Sequence, residues 1–596
     1  MHLLDQPHHD GSSLYVSTLT PNMGEEVTVW LRVPAGFALE AAHVRAVHDG
    51  EPRYAAAEPD PSRKGLGGYG AADTWWKATI TAANPVVPYR FLLLTPDGQR
   101  WLTARGLVAH DVSDATDFRL VAHEAPPAWM ADAIVYQIFP DRFARSGREH
   151  GEPPAWALPA EWDTDEVIGE GPGTPEQFYG GDLDGIVEHL DHIQALGADT
   201  VYLTPIFPGR SNHRYDAAGF DAVDPLLGGD EALERLSAAL HERGMRLLGD
   251  ITTNHTGDSH EWFTAAVSDV NAPEREMYYF DADSGDYEAW WGVKTLPKLN
   301  WASPLVRERM AAAMTRWLGA LDGWRVDVAN MTGRRGADDH NHEVARLLRP
   351  RGAAFIAEHN HDASADLDAD GWHGTMNYGG FTRPVWAWLR GESLDLTHFL
   401  GVPGGVPARD GVATVATFRE FAAHMSWRSL VHSWQLLDSH DSSRIRTVTG
   451  SPARHLVALG LQAMLPGTPM VFAGSEFGLR GDNGEYSRTP MPWQRPADRD
   501  EQTHAAYRAL LGLRRAEPAL RRGGLRWAHA SADCLVFLRE TERESLLVCA
   551  RRAPGEPLAL PLEGTARGLY GADDLDSMVL PGDGPSFKVW RLAVRP

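Results

Sequence analysis

The stretch Gly323-Trp324-Arg325-Val326-Asp327-Val328-Ala329-Asn330 has the composition of a buried β-strand that carries charge near its end. Side chains alternate between the two faces of a strand, so Arg325 and Asp327 share one face. A carboxylate among apolar residues is costly unless it is paired or used in chemistry. We therefore expect Arg325 to keep Asp327 ionised, with a low pKa, as a nucleophile requires. Taken alone, the same pattern also fits a salt bridge at the end of a strand.

Seven similar apolar runs surround this strand and alternate with helical patterns. Strands rich in Val, Ile and Leu that alternate with helices predict a parallel sheet, and eight such units predict a TIM (β/α)8 barrel of the α/β class. The alternative is a doubly wound open sheet, but no Gly-x-Gly-x-x-Gly turn follows the first run. The predicted strands are Ile134–Phe139, Thr200–Thr204, Met245–Ile251, Gly323–Asn330, Ala354–Ala357, Gly374–Tyr378, Ser433–Leu437 and Pro469–Ala473.

Different patterns flank and interrupt the predicted barrel, which we place at residues 131–515. Residues 1–124 contain short alternating runs separated by turn signals, which predicts an N-terminal β-sandwich. The irregular, aromatic stretch of about residues 256–300 predicts a small inserted domain after strand three. Residues 520–596 return to short alternating strands and predict a C-terminal β domain.

The composition excludes several kinds of partner. The chain has 596 residues and a net charge of −25, and an acidic surface repels the phosphate backbone of nucleic acids. No run approaches the roughly 18 apolar residues that a membrane span needs. The first residues lack the basic and apolar regions of a signal peptide. Cys534 and Cys549 are the only cysteines, so we expect reduced thiols and a cytoplasmic location.

Polar residues collect where four of the predicted strands end, which is the face that carries the chemistry in TIM barrels. These residues are Asp250-x-x-x-Asn254-His255, Arg325-x-Asp327, Glu358 and His440-Asp441. In this order and at these strands they resemble the four signature regions of the α-amylase family, glycoside hydrolase family 13. Supporting stretches resemble other motifs of that family, at Gln137–Phe143, Ser211–Asp216 and Met376–Tyr378.

One further motif narrows the resemblance. Leu296-Pro297-Lys298-Leu299-Asn300 is similar to the extra region of the branch that contains neopullulanases, cyclomaltodextrinases and maltogenic amylases. That branch also carries an N-terminal β-sandwich. The resemblance implies an enzyme that cleaves α-1,4-glucosidic bonds in maltodextrins, cyclodextrins or pullulan-like oligosaccharides. It also implies retention of configuration through a covalent glycosyl-enzyme intermediate.

The resemblance assigns roles to three acids. Asp327 would be the nucleophile, Glu358 the general acid, and Asp441 a carboxylate that favours the transition state. The apolar lead-in Phe355-Ile356-Ala357 is expected to raise the pKa of Glu358, as a general acid requires. Tyr215 is expected to stack on a sugar ring. The residues expected to contact substrate are His213, Tyr215, Asp216, His255, Arg325, His361, His440 and Arg488.

The sequence departs from the family pattern at one position. The family commonly has an aspartate four residues before the arginine that corresponds to Arg488, and here that place is held by Gly484. Asp482 or Glu485 could stand in for the missing carboxylate. The loop after the first strand offers few oxygen ligands for calcium, so we predict no required cofactor and no metal ligands, and leave a structural calcium ion open.

Four alternatives stay open at this stage. A metal-dependent hydrolase would use one of two clusters, His359, His361 and Asp362 or Asp338, Asp339, His340 and His342. A non-catalytic glycan-binding subunit is a second alternative, although such a protein is expected to have lost an acid. A transglycosylase or an isomerising enzyme could use the same site. Two chains could also pair through the N-terminal domain as a homodimer.

Overall fold

The computed structural model describes residues 3–64 and 72–593, and its centre is a closed barrel of eight parallel strands. The first strand pairs with the eighth, with Val135 beside Met470, which closes the sheet on itself. The predicted TIM barrel is therefore confirmed. The strands are Val135–Ile138, Thr200–Leu203, Arg246–Thr252, Gly323–Asp327, Ala354–His359, Gly374–Asn377, Trp434–Leu436 and Thr468–Phe472.

Helices cover the outside of the barrel, and their apolar faces form one hydrophobic core with the outward side chains of the strands. The strands are buried on both sides because the helices lie outside them, which explains their nearly continuous apolar runs. The helices of six or more residues in the described part of the chain are Leu183–Glu188, Leu190–Ala195, Gly229–Glu242, Glu261–Ser268, Pro304–Arg316, Asn341–Leu348, Arg383–Leu389, Gly411–Ala423, Trp427–His432, Pro452–Met464 and Glu501–Ala516.

The fourth strand is shorter than its sequence pattern indicates. The apolar pattern predicts a strand through Asn330, but the strand ends at Asp327. The next residue, Val328, has a φ angle of +45°, which is a strained backbone conformation for a β-branched side chain. This abrupt turn leaves Asp327 as the last strand residue, at the rim of the barrel.

The N-terminal region forms two antiparallel sheets that pack around a shared core of residues such as Val29, Val44 and Phe91. This is the predicted β-sandwich. In their order across the sheet, the strands of the smaller one are Glu26–Val33, Thr74–Thr81 and Glu58–Pro59. The strands of the larger sheet are Glu51–Ala56, Ala41–His48, Val86–Thr95, Gly98–Thr103 and Gly106–Val108, with Phe118–Val121 paired to Val86–Thr95.

The C-terminal region forms a five-stranded antiparallel sheet, as its alternating pattern predicts. Its strands are Gly524–Ala530, Cys534–Glu540, Ser545–Arg551, Ser586–Ala593 and Thr565–Tyr570. The limits 1–124, 131–515 and 520–596 are our proposal for the three domains; within them, residues 1–2, 65–71 and 594–596 lie outside the described part of the chain.

The segment after the third strand leaves the barrel and returns to it. It contains the helix Glu261–Ser268, and beyond that it is joined by isolated bridges rather than by a sheet. One bridge pairs His255 with Lys298, so the segment ends beside the strand from which it started. Its buried residues, such as Phe263 and Tyr278, belong to the same hydrophobic core as the barrel helices. We propose residues 256–300 as the limits of this insertion.

A search of the described residues for a helix long and apolar enough to span a bilayer finds none.

Gly323 offers a test of how tightly the fourth strand is packed. Its φ angle is +152°, and a Cβ atom there would lie 2.3 Å from the backbone oxygen of Ala354 on the next strand. We expect Gly323→Val to lower the free energy of unfolding by at least about 2 kcal/mol because the strands cannot approach as closely. Urea unfolding followed by circular dichroism measures this loss.

Gly319→Ala is the matched control for Gly323→Val. Gly319 is exposed, and a Cβ atom there would have nothing within 4 Å. An equal loss of stability in the two variants would show that the close approach at Gly323 does not matter.

Candidate active site

The carboxyl ends of three barrel strands bring the three predicted acids to one rim. Asp327 is the last residue of the fourth strand and Glu358 lies one residue before the end of the fifth. Asp441 follows the seventh strand by five residues. Asp327 and Glu358 are each only 7% exposed, whereas the side chain of Asp441 is 39% exposed. The barrel therefore holds two of these acids in a buried pocket and one at its open side.

Arg325 connects the two buried acids. Its side chain is fully buried and lies on the same strand face as Asp327, as the sequence predicts. Nη1 donates to Oδ1 of Asp327 at 3.0 Å, and Nη2 lies 3.0 Å from Oε2 of Glu358. One guanidinium group thus sets the positions of both carboxyl groups.

Asp250 is a site residue that the list of expected substrate contacts missed. It is completely buried on the third strand, and both of its oxygens accept hydrogen bonds from Arg325, at 2.9 and 2.8 Å. The hydroxyl groups of Tyr202 and Tyr215 also donate to it. Its position in the first signature region was the signal that could have identified it. Asp250 therefore offsets part of the charge of Arg325, through the same nitrogen that donates to Asp327.

The pKa of Asp327 differs from the sequence-based expectation. Burial and then the nearby Glu358 carboxyl raise the pKa of Asp327 well above its usual range, and Arg325 only partly opposes them. The prediction of a low pKa is therefore wrong, because burial and a carboxyl group from another strand outweigh Arg325.

The strained turn after Asp327 also orients Glu358. The backbone N–H of Val328 donates to Oε2 of Glu358 at 2.8 Å, and this is the oxygen that lies near Arg325. The left-handed conformation of Val328 is what directs this N–H group toward the fifth strand. Strain of this kind persists only where surrounding contacts impose it, and it is common at functional sites.

Asp441 is held ionised by its neighbours. Nε2 of His440 lies 3.0 Å from one carboxylate oxygen, and Nη2 of Arg488 donates to the other at 3.2 Å. Burial alone would raise the pKa of Asp441, but His440 and Arg488 outweigh it and hold that pKa well below its usual range. Asp441 therefore supplies a permanent negative charge beside the pair formed by Asp327 and Glu358.

Three side chains surround the ring of His440. The side-chain nitrogen of Gln137 lies 2.8 Å from Nδ1. Nε2 faces the hydroxyl of Tyr215 at 2.7 Å and the carboxylate of Asp441. The ring of Tyr215 stacks on that of His440, with centroids 5.5 Å apart and planes inclined by 10°. Tyr215 thus lies inside the site.

Two further histidines are neutral in the site. Nε2 of His255 lies 3.9 Å from Oδ2 of Asp327, and burial lowers the pKa of His255 to about 3. Burial lowers the pKa of His213 to about 3 as well, and its Nδ1 accepts from the backbone N–H of Tyr215. Neutral rings can donate to and accept from sugar hydroxyls without adding charge.

Two of the expected substrate contacts lie apart from this network. Asp216 accepts from the side chain of Ser211 and from the backbone N–H of Arg210, so we assign it to the shape of its loop. His361 is exposed beyond the fifth strand, where its ring centroid lies 6.0 Å from that of His359. Neither position could be read from the sequence, because loop hydrogen bonds and strand length decide it.

The structure explains the glycine at position 484. A Cβ atom there would meet the backbone of Asp441 at 3.0–3.1 Å, which is tighter than side chains normally tolerate. The next residue carries the carboxylate instead, and Nη1 of Arg488 donates to Oε2 of Glu485 at 2.8 Å. Of the two candidates, Glu485 therefore takes the place of the missing aspartate.

The clusters considered for a metal site have other partners. His359 and His342 both contact the carboxylate of Asp366, which also accepts from Arg334. In residues 3–64 and 72–593, no group of three or more His, Cys, Asp and Glu side chains is arranged to hold a metal ion. His342 and His359 therefore belong to a hydrogen-bond network around Asp366.

Arg488 gives the site a testable pH dependence. We expect Arg488→Met to lower kcat/KM on an α-glucan, the substrate class that the resemblance implies, by about tenfold to hundredfold, because charge-assisted hydrogen bonds to Asp441 and its neighbours are lost. The pKa of Asp441 should rise, so activity should be lost at a higher pH on the acid side. Initial rates between pH 4 and 7 measure the shift, with exposed Arg480→Met as the control. An unchanged acid limb would contradict the role of Arg488.

Comparisons with known proteins agree with this geometry. A model described as the α-amylase catalytic domain matches residues 137–527. A cyclomaltodextrinase from a Bacillus species is 31% identical over 498 residues, covering 80% of this chain and 83% of that protein. Neopullulanase 2 of Thermoactinomyces vulgaris is 29% identical over 513 residues, 82% of each chain. A solved cyclomaltodextrinase structure aligns with a TM-score of 0.71 at 25% identity, covering 99% of this chain and 100% of that one.

The family match covers the barrel strands that carry Asp327, Glu358 and Asp441, and the relatives lie in the branch that the motif at 296–300 indicates. The chain therefore belongs to the α-amylase family and is a glycoside hydrolase of that family.

Proposed function

We propose that this protein is a retaining α-glucan hydrolase that cleaves α-1,4-glucosidic bonds through a covalent glycosyl-enzyme intermediate. The observation that carries the proposal is the contact of Arg325 with both Asp327 and Glu358, at 3.0 Å each. Retaining glycosidases need a nucleophile and a general acid that lie close together, and inverting enzymes need a wider gap for water. Two carboxyls bound to one guanidinium group fit the closer spacing.

In the first step, Asp327 attacks the anomeric carbon while Glu358 donates its proton to the glycosidic oxygen. The bond to the leaving sugar breaks, and the glycosyl group becomes an ester of Asp327. This step requires Glu358 to carry a proton and Asp327 to be ionised. Arg325 supports that state because it donates directly to Oδ1 of Asp327.

In the second step, Glu358 acts as a general base. It takes a proton from water, the resulting hydroxide attacks the anomeric carbon, and Asp327 leaves as a carboxylate. Two inversions at the same carbon give retention of configuration. Asp441 stays ionised throughout and stabilises the positive charge that develops on the sugar ring in both transition states.

The relatives support the choice of substrate. They are named a cyclomaltodextrinase and a neopullulanase, and we propose that this chain likewise acts on cyclodextrins, pullulan-like oligosaccharides and maltodextrins. His255 and His440 would hold sugar hydroxyls at the cleavage position. Arg488 and Glu485 would contact the sugar next to it. Transfer to a sugar hydroxyl instead of water remains an alternative outcome of the same two steps.

We also propose a cytoplasmic location, a reaction that requires no cofactor, and pairing of two chains through the N-terminal sandwich. The two cysteines support the location because both are buried and free, as expected for a reducing compartment. The three acids, which suffice for both chemical steps, support the second proposal. The third rests on likeness to the branch alone.

The substrate is tested by product analysis. Chromatography of the products from maltotriose, a cyclodextrin and pullulan separates the alternatives. Opening of the cyclodextrin ring supports the proposed branch, and longer products from maltotriose would indicate transfer. Release of glucose alone from every substrate would contradict the proposal, because it indicates an exo-acting glucosidase.

Asp327→Asn tests the nucleophile. We expect kcat on maltodextrin to fall by at least about 10⁴-fold because an amide cannot form the ester intermediate. Asp338→Asn is the control, since Asp338 is exposed on the loop after the same strand. Reducing-sugar assays give the rates, and circular dichroism shows that both variants are folded. Intact cleavage by Asp327→Asn would end the proposal.

Glu358→Gln tests the general acid separately. We expect maltodextrin cleavage to be lost, while the first step with α-glucosyl fluoride, whose leaving group needs little protonation, should fall much less. Wild-type enzyme should release the α-anomer first, as seen by proton NMR within the first minutes. Initial release of the β-anomer would rule out retention.

A further inference from the structure

The loop of residues 289–292 carries two adjacent tryptophans beside the active site. Trp291 is 79% exposed, and no other large apolar residue in the described part of the chain is as exposed. Its φ angle is +48°, in the left-handed region that residues with a side chain rarely occupy. Neither feature helps folding, because an exposed indole gains nothing from burial and the backbone is strained. A role in binding would account for both.

The two rings are stacked on each other, and the stack begins near a histidine of the active site. The centroids of Trp290 and Trp291 lie 4.9 Å apart with their planes inclined by only 8°. The inner ring, Trp290, lies 5.9 Å from the ring of His255, which contacts Asp327. Trp290 covers the inner face of Trp291, so the outer face is the one turned to solvent.

The loop is held in place rather than left free. The backbone N–H of Trp290 donates to Leu296 at 2.9 Å, and that of Lys298 donates to Glu288 at 2.9 Å. The carboxylate of Glu288 is paired with Arg335 at 2.6 Å, which ties the loop to the segment after the fourth strand. The exposed ring is therefore presented in a fixed orientation, and a fixed ring loses little entropy when a ligand binds.

We propose that the outer face of Trp291 is a binding subsite for an additional sugar ring of the α-glucan. This inference rests on the proposed function and extends its substrate-binding cleft. Trp290 stands between Trp291 and His255, and His255 lies near Asp327. A glucose ring presents C–H groups on its flat faces, which pack well on a neutral aromatic surface.

The position of the subsite predicts which substrates use it. Two stacked rings separate the outer face of Trp291 from His255, so a sugar there belongs to a chain that already fills the catalytic pocket. Short substrates end before they reach it. Trp291 should therefore increase the preference of the enzyme for longer chains, without taking part in the bond-breaking steps.

The experiment compares kcat/KM for maltoheptaose with kcat/KM for maltotriose. We expect Trp291→Ala to lower this ratio by about fivefold to tenfold, the equivalent of about 1 kcal/mol of stacking. Trp291→Phe should keep most of the ratio because it retains a flat ring. Val293→Ala is the matched control, since Val293 is 42% exposed on the same segment and should leave the ratio unchanged. An unchanged ratio in Trp291→Ala overturns the inference.

A binding measurement separates this inference from the proposed function. Calorimetric titration of maltoheptaose into Asp327→Asn, with and without Trp291→Ala, measures affinity without cleavage. A weaker affinity in the double variant supports the subsite even if the wild type cleaves neither sugar, a result that would overturn only the proposed function. Equal affinities overturn the subsite even if the wild type cleaves both sugars.

Discussion

The buried guanidinium group of Arg325 is the interaction on which the catalytic centre depends. It is fully enclosed by the barrel and contacts three carboxyl groups from three neighbouring strands: Asp250, Asp327 and Glu358. Three carboxylates without a cation could not stay ionised in so small a volume, and a lone buried arginine would be equally costly. Arg325 offsets part of the repulsion among these three carboxyl groups and so allows them to lie close together.

The barrel supplies what this cluster requires. Parallel strands that end at one rim bring together residues that are far apart in the chain. Asp250 and Arg325, for example, are 75 positions apart. The register of neighbouring strands sets Asp250 beside Arg325 and Thr252 beside Asp327. The strained residue Val328 then stops the fourth strand at the point where its N–H reaches Glu358. Site geometry is thus a consequence of strand register and of one costly backbone turn.

Away from this centre, two groups of residues differ in chemistry. Arg488 is fixed between Asp441 and Glu485, and Gly484 lets this loop approach the backbone of Asp441. Beside His255, two neutral aromatic rings are stacked on each other. A charged clamp holds a sugar by directed hydrogen bonds, whereas a flat ring holds it by contact area and tolerates different sequences of sugars. Gly484 has no carboxylate, but the adjacent Glu485 pairs with Arg488.

By itself, the sequence determined the eight-stranded barrel and placed three acids where its strands end, because apolar periodicity and residues at strand ends are local features. It also determined that Arg325 and Asp327 share a face, since that follows from the alternation of a strand. Only the tertiary structure decided the direction of the pKa shift of Asp327, which depends on burial and on a carboxyl from another strand. The tertiary structure alone shows that Asp250 contacts Arg325, that Asp216 and His361 lie outside this network, and that Glu485 rather than Asp482 pairs with Arg488. Each of these outcomes depends on contacts that no local sequence pattern records.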